Sequence, residues 1–283
     1  SVSAFLLNRS SDLDLNPQDR EEYIGGRDEQ GNKSGFGIQR MPEGNIFKGY
    51  FLNDKAHGWG IYEHLDGDIF KGEYEEERTS GYGEYLSGNG TVYYGYWLDD
   101  SQFGIGYEIW RDGGKYIGEY NYGKKEGVGT YVWGDKTTYI GQWNANSIEG
   151  FGIYNYIDGR IYDGEWKKDK RDGKGVFIFN NGNKYDGEWK NDSICGKGIM
   201  LYKINDLFAE KYEGEWENEK KNGKGIYCYK NGDKYDGEWK NDVKDGYGVF
   251  YTLKGKKIIG KWKNDQLLKT IQIKKDKLKS FFD

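Results

Sequence analysis

The run Tyr162-Asp163-Gly164-Glu165-Trp166, followed by Gly173-Lys174-Gly175-Val176-Phe177-Ile178-Phe179 and then by Asn181-Gly182, decides the fold. Tyr162, Gly164 and Trp166 stand two apart, so in an extended chain they share one face while Asp163 and Glu165 take the other. Gly173, Gly175, Phe177 and Phe179 repeat that alternation. Asn-Gly between two such runs is a strong hairpin signal, because turn residues with φ > 0 match the twist of the flanking strands. The unit therefore reads as strand, short loop, strand, tight turn.

The pattern recurs in both directions. Aromatic-x-Gly-x-aromatic appears at Phe70/Gly72/Tyr74, Tyr93/Gly95/Trp97, Tyr116/Gly118/Tyr120, Tyr139/Gly141/Trp143, Tyr185/Gly187/Trp189, Tyr212/Gly214/Trp216 and Tyr235/Gly237/Trp239. Weaker copies open and close the series at Tyr23/Gly25/Arg27, Phe47/Gly49/Phe51 and Ile258/Gly260/Trp262. From Gly49 to Gly187 the central glycines step by 23 residues, and one step, Gly187 to Gly214, is 27. The extra residues fall in segment 203–211, where a longer loop is expected. A fixed period of this length marks an array in which each unit touches only its neighbours. The expected fold is all-β: an elongated, twisted, single antiparallel meander of about eleven 23-residue hairpins forming an open groove, with a short C-terminal helix. The domain reading is an extension over 1–22, the array over 23–264 and a basic tail over 265–283.

Composition agrees. Of 283 residues 45 are Gly and 2 are Pro, and 17% are aromatic. Disordered chains are poor in aromatics, and Gly without a three-residue period excludes collagen. By count the charge is −11 over residues 1–150 and +6 over 151–283, which sums to the overall −5. Such asymmetry marks either a solvated face of mixed charge or two different partner surfaces. An acidic chain is a poor general ligand for nucleic acid, so no nucleic-acid partner is expected. No apolar run approaches the length of a membrane span, and no secretory segment is visible. Cys195 and Cys228 fit neither a disulfide framework nor a zinc spacing, and read as reduced thiols.

The two faces carry different information. On one, glycines leave room for the Tyr and Trp rings of neighbouring strands to lie across them. The groove aromatics are Trp97, Tyr120, Trp143, Trp166, Trp189, Trp216 and Trp239. No second layer is available to cover this face, so it must curl, pack on itself or hold a partner. On the other face, Asp163/Glu165, Asp186/Glu188, Glu213/Glu215 and Asp236/Glu238 stand near Lys174, Lys197 and Lys224 as a cross-strand charge ladder. In earlier units the middle residue of Gly-x-Gly is instead Phe36, Trp59, Tyr82, Ile105, Val128 or Phe151. Either these six pack locally or beneath the N-terminal segment, or they form an exposed apolar stripe that binds a partner.

The units resemble MORN (membrane occupation and recognition nexus) repeats, through Tyr162-Asp163-Gly164-Glu165-Trp166, Gly173-Lys174-Gly175 and the Asn-Gly turn. The resemblance spans residues 23–264, with Arg27 and Ile258 departing from the aromatic positions in units expected to cap the array. It implies a groove-bearing sheet of hairpins that serves as a scaffold. It also implies protein partners, either a peptide or helix in the groove or neighbouring subunits of a larger assembly, with self-association open. The implied setting is cytoplasmic and cytoskeletal, extending to the axoneme of cilia and flagella in radial-spoke-like assemblies. A peripheral tether on acidic phospholipids and a regulatory subunit of an enzyme are the alternatives, with weak or no membrane binding expected because the lysines face acidic residues.

Catalysis is not expected. The only histidines, His57 and His64, lie in repeat strands or loops without a nucleophile partner. Gly-x-Gly recurs along the chain without the Gly-Lys-Ser/Thr of a phosphate loop. No cofactor or metal is expected. In the tail, Leu267, Leu268, Ile271, Leu278, Phe281 and Phe282 interleave with lysines near helical spacing. This predicts a basic amphipathic helix that caps the sheet edge, docks a partner or lies on a membrane.

Overall fold

The computed structural model of the chain describes residues 22–205 and 207–271. Twenty-two antiparallel strands, numbered β1 to β22 in chain order, belong to one open sheet. The chain divides into two compact units, Ser1–Lys124 and Lys125–Asp283. The first holds β1 (Glu22–Arg27) to β9 (Lys115–Asn121). The second begins with β10 (Lys124–Val132) and ends with β22 (Gln266–Thr270). Within each unit, strands pair with their neighbours in sequence, as in a meander.

The register explains the glycines. In β13 (Ile161–Lys167), β14 (Lys170–Ile178) and β15 (Lys184–Lys190), Gly164 faces Gly175 and Gly175 faces Gly187. The ring of Tyr162 lies across the first pair. A Cβ on Gly164 would stand 2.7 Å from the Tyr162 hydroxyl oxygen, and one on Gly175 would stand 2.5 Å from its Cζ. The Tyr162 hydroxyl donates to the Glu165 carbonyl at 2.9 Å. Tyr139, Tyr185, Tyr212 and Tyr235 make the same bond to the residue three further on.

Each of these tyrosines stands edge-on to two tryptophans. Tyr162 is 5.0 Å from Trp166 and 5.3 Å from Trp189, ring centre to ring centre, and Tyr212 is 5.1 Å from Trp216 and 5.4 Å from Trp239. The indole N–H groups of Trp166, Trp189 and Trp239 donate to the carbonyls of Gly152, Gly175 and Gly225. Each edge-to-face pair contributes about 0.5–1.5 kcal/mol beyond the area it buries. The aromatic face thus packs on itself, which is how a single-layer sheet acquires a core. In the first unit Phe47, Phe51, Phe70 and Tyr74 form the same kind of core.

Two turn assignments exchange places. The Asn-Gly and Asp-Gly sites are loops with one left-handed glycine. At 156–160, Gly159 (φ +86°) donates to the Tyr156 carbonyl and Tyr156 donates to the Arg160 carbonyl. The two-residue turns with φ > 0 at both positions lie at the other end of the hairpin, at Asp99-Asp100, Lys168-Asp169, Asn191-Asp192 and Asn241-Asp242. Left-handed non-glycine residues are strained by about 1 kcal/mol each. The second turn residue offsets this by gripping the preceding hairpin. Asp192 accepts the Arg171 N–H at 3.0 Å through Oδ1, and its own N–H donates to the Arg171 carbonyl at 2.9 Å. Asp100, Asp169, Asp242 and Asp265 do the same for Thr79, Ile148, Lys221 and Lys244.

The hairpins whose register is described also carry a bulge. Beyond the Gly164–Gly175 pair, Trp166 faces Arg171, so Glu165 alone opposes residues 172–174. The Glu165 carboxylate accepts the Lys174 N–H at 2.8 Å, and Gln142, Glu188 and Glu238 serve Phe151, Lys197 and Tyr247 alike. The expected charge ladder is therefore mixed. Lys174 does stand opposite Glu188 and Lys224 opposite Glu238, but Glu188 and Glu238 spend an oxygen on the backbone. Asp163 and Asp186 stand opposite Val176, not opposite lysine.

Two further expectations are corrected. Segment 203–211 is not a long loop: β16 (Ser193–Ile204) and β17 (Leu207–Glu217) simply extend, with Ile204 opposite Leu207. Residues 266–270 are not helical but form β22 on β21 (Lys257–Lys263), with Trp262 opposite Leu267 and Lys263 opposite Gln266. An available strand edge wins over a weak helical spacing. Leu268 lies exposed in β22, and Ile271 donates its N–H to the Ile259 carbonyl. Leu278 and Phe281 lie outside the described residues, as does most of segment 1–22. The first and last units are hairpins too, with Gly25 opposite Gly37 and Gly260 opposite Thr270.

Candidate docking surfaces

The six Gly-x-Gly residues lie on the face away from the packed rings. Phe36, Trp59, Tyr82 and Ile105 in the first unit keep 48–57% of their surface exposed, and Val128 and Phe151 in the second keep 56% and 65%. The described residues leave them exposed, and the alternative of packing beneath the N-terminal segment falls outside the described residues. In the first unit they do not stand alone. Phe36 meets Tyr50 edge-on at 5.7 Å and Tyr82 meets Tyr96 at 5.9 Å, and Ile38, Tyr94 and Ile117 are also exposed. Tyr50 and Tyr96 escaped the sequence reading. The signal was present, because the residue after the central glycine is Tyr in these two units and Glu or Gln in most others.

The groove aromatics occupy a different role. Tyr120, Trp143, Trp166, Trp189, Trp216 and Trp239 are buried in the ring packing, and Trp97 is half-buried. The rings reaching the surface of the aromatic face in the second unit belong to the following strand positions. Trp133 stands 5.2 Å from Tyr154, Tyr154 stands 4.5 Å from Tyr156, and Tyr227 stands 4.7 Å from Tyr229. Burial pushes the phenols of Tyr154 and Tyr156 up, and those of Tyr202 and Tyr229 up to about 12.

Arg171, Lys221 and Lys244 are among the cations on this face. The Arg171 guanidinium carbon sits 4.4 Å from the Trp189 ring centre, and its Nε lies 3.1 Å from the Asp192 carboxylate. Lys221 sits 4.8 Å from Trp239 and Lys244 sits 4.8 Å from Trp262. Burial lowers the pKa of Lys221, partly opposed by Asp242 and Asp265. In the first unit the equivalent strand positions are Lys33, which lies against Tyr23 and Phe51, then Ala56, Thr79 and Gln102. Beside Thr79 a hollow of about 550 Å³ opens between Tyr62, Phe70, Tyr74, Tyr85 and Trp97, with Glu77 and Asp100 also lining it. Among the described residues, no cluster of His, Cys, Asp or Glu could hold a metal ion.

The MORN repeat family model matches residues 47–69, 70–92, 116–138, 139–159, 162–184, 185–206, 212–234 and 235–252. The chain therefore belongs to the MORN repeat family. Residues 93–115, between two matches, build the same hairpin from β7 (Val92–Leu98) and β8 (Ser101–Ile109). No curated protein sequence matches the chain. Among solved structures, the chain is similar to the TCP10 domain of Danio rerio CPAP in complex with a peptide of Danio rerio STIL. The identity is 13% and the TM-score 0.40, over 85% of this chain and 100% of that one. It is also similar to the SAS-4 (dCPAP) TCP domain of Drosophila melanogaster in complex with a proline-rich motif of Ana2 (dSTIL). There the identity is 17% and the TM-score 0.36, over 65% of this chain and 99% of that one.

Proposed function

We propose that the chain is a non-catalytic scaffold that docks protein partners along its repeats, within a cytoskeletal or axonemal assembly of the cytoplasm. One observation carries the docking part. On the face away from the ring core, the first unit exposes Phe36, Tyr50, Trp59, Tyr82, Tyr96 and Ile105 together. Folding does not need these rings, since later units build the same hairpin with Lys174, Lys197 or Lys224 in the Gly-x-Gly position. An apolar, aromatic-rich patch that the fold does not require is the composition of an interface core. The partner is accordingly a protein presenting an apolar surface. The cytoskeletal setting rests on the family resemblance alone.

The test is chemical cross-linking with mass spectrometry in cells of the native source, comparing the chain with its Trp59→Asp/Tyr82→Asp variant. Stoichiometric partners cross-linked near 50–105 and lost in the variant support the proposal. Identical cross-links from both proteins overturn it. Sedimentation with anionic vesicles in place of protein capture would favour a membrane tether.

A further inference from the structure

The cation seats at Arg171 and Lys244 share one plan, which Lys33 also fills over Tyr23 and Phe51 in the first unit, and around Thr79 the first unit contains that plan without a cation. Arg171 lies against three rings, those of Trp189 at 4.4 Å, Phe177 at 5.2 Å and Tyr162 at 5.8 Å. Asp192, which holds the Arg171 N–H in the turn, also pairs with its guanidinium. Lys244 repeats the arrangement with Trp262, Phe250, Tyr235 and Asp265. Counted along the chain, the positions equivalent to Trp189, Phe177, Tyr162 and Asp192 around Thr79 are Trp97, Tyr85, Phe70 and Asp100. All four are in place and line the hollow, and Asp100 accepts the Thr79 N–H at 2.8 Å. The seat itself holds only the short Thr79 side chain.

The hollow also carries unmet polar demand. Thr79 Oγ1 is buried without a hydrogen-bond partner and can accept from a guanidinium. Three aromatic faces beside a carboxylate suit a cation, and a planar guanidinium can stack on the rings while it hydrogen-bonds the carboxylate. Glu77 adds a second carboxylate to the lining.

We propose that the hollow between Phe70, Tyr85, Trp97 and Asp100 receives an arginine side chain from a protein partner, taking the place that Arg171 fills within the second unit. This deepens the scaffold reading and rests on it, but it places a specific contact on the aromatic face and can be tested without knowing the partner.

The experiment titrates the full chain, with its tryptophan indoles labelled with ¹⁵N, with an acetylated and amidated Gly-Arg-Gly peptide. Lysine and citrulline versions run in parallel, and Trp97→Phe assigns the resonance. The expected result is a saturable shift of the Trp97 indole with the arginine peptide, at about tenfold lower concentration than with citrulline, which keeps the shape but loses the charge. Thr79→Arg fills the seat from within, abolishes the shift and raises the unfolding midpoint. Asp100→Asn keeps the turn acceptor, as Asn146 does for Lys125 at 2.8 Å, and weakens the arginine peptide about fivefold or more. Equal binding of citrulline, equal binding of lysine, or no saturable shift would each overturn the arginine assignment, whether or not Thr79→Arg folds. Loss of the apolar docking surface in the cross-linking experiment leaves these outcomes unaffected.

Discussion

The ring of Tyr162 occupies the space that a side chain at Gly175 would need, one strand away, and its hydroxyl closes on the Glu165 carbonyl at 2.9 Å. That relationship, repeated along both units, makes a one-layer sheet stable, because each glycine pair is the seat of an aromatic ring. Gly175→Ala should therefore destabilise through overpacking by about 1–3 kcal/mol. At Gly159 φ is +86° and no atom lies within 4 Å of the place a methyl would take, so Ala there should cost about 1 kcal/mol through backbone strain alone. Urea unfolding of the two variants checks this; equal midpoints would contradict it.

The two faces should respond oppositely to truncation. Trp166 is buried against Tyr139, Tyr154 and Tyr162, so Trp166→Ala should cost about 3–5 kcal/mol. Trp59 is half-exposed on the other face, and Trp59→Ala should stay within about 1 kcal/mol of the parent. Thermal melts of both variants measure the contrast.

The turn staples make a third prediction. Asp192→Gly keeps a left-handed turn but loses the bond to the Arg171 N–H and the guanidinium pairing, at about 1–2 kcal/mol. Asp192→Ala adds the left-handed strain, about 1 kcal/mol more. Amide hydrogen exchange at Arg171 should accelerate in both. Unchanged exchange would show that the carboxylate does not hold that N–H.

Much of this was legible in the sequence, for identifiable reasons. Strand alternation around Tyr162, Gly164 and Trp166 placed the rings and glycines on one face, and the same alternation put the row from Phe36 to Phe151 on the other while leaving its exposure open. The exchange of turn types was not legible. Asn191-Asp192 lacks glycine, and its left-handed geometry is sustained by a bond to a residue 21 positions earlier. Over residues 266–270 the helical spacing misled because a strand edge was available to it. The seat at Thr79 could be recognised only once Arg171 showed what fills its equivalent.

Alkaline pH should weaken the fold. Burial pushes Tyr202 and Tyr229 up to about 12 and drives Tyr162, Tyr185, Tyr212 and Tyr235 higher still. Unfolded tyrosines ionise near pH 10. The stability these groups contribute is complete below about pH 10. It falls as the pH rises from there toward the folded values, by up to about 1.4 kcal/mol per pH unit for each tyrosine. Melting temperatures from pH 8 to 11.5, with tyrosinate absorbance followed in parallel, test it. Tyrosines that all ionise near 10 while the fold persists would contradict it.

The central claim is that the exposed rings of the first unit bind protein. The most direct measurement is quantitative cross-linking in native cells, with Trp59→Asp/Tyr82→Asp against a Lys174→Ala control on the same face of the second unit. Partner cross-links to residues 50–105 should vanish in the first variant and survive in the second, with both melting like the parent. Partner cross-links that persist in Trp59→Asp/Tyr82→Asp would contradict the claim.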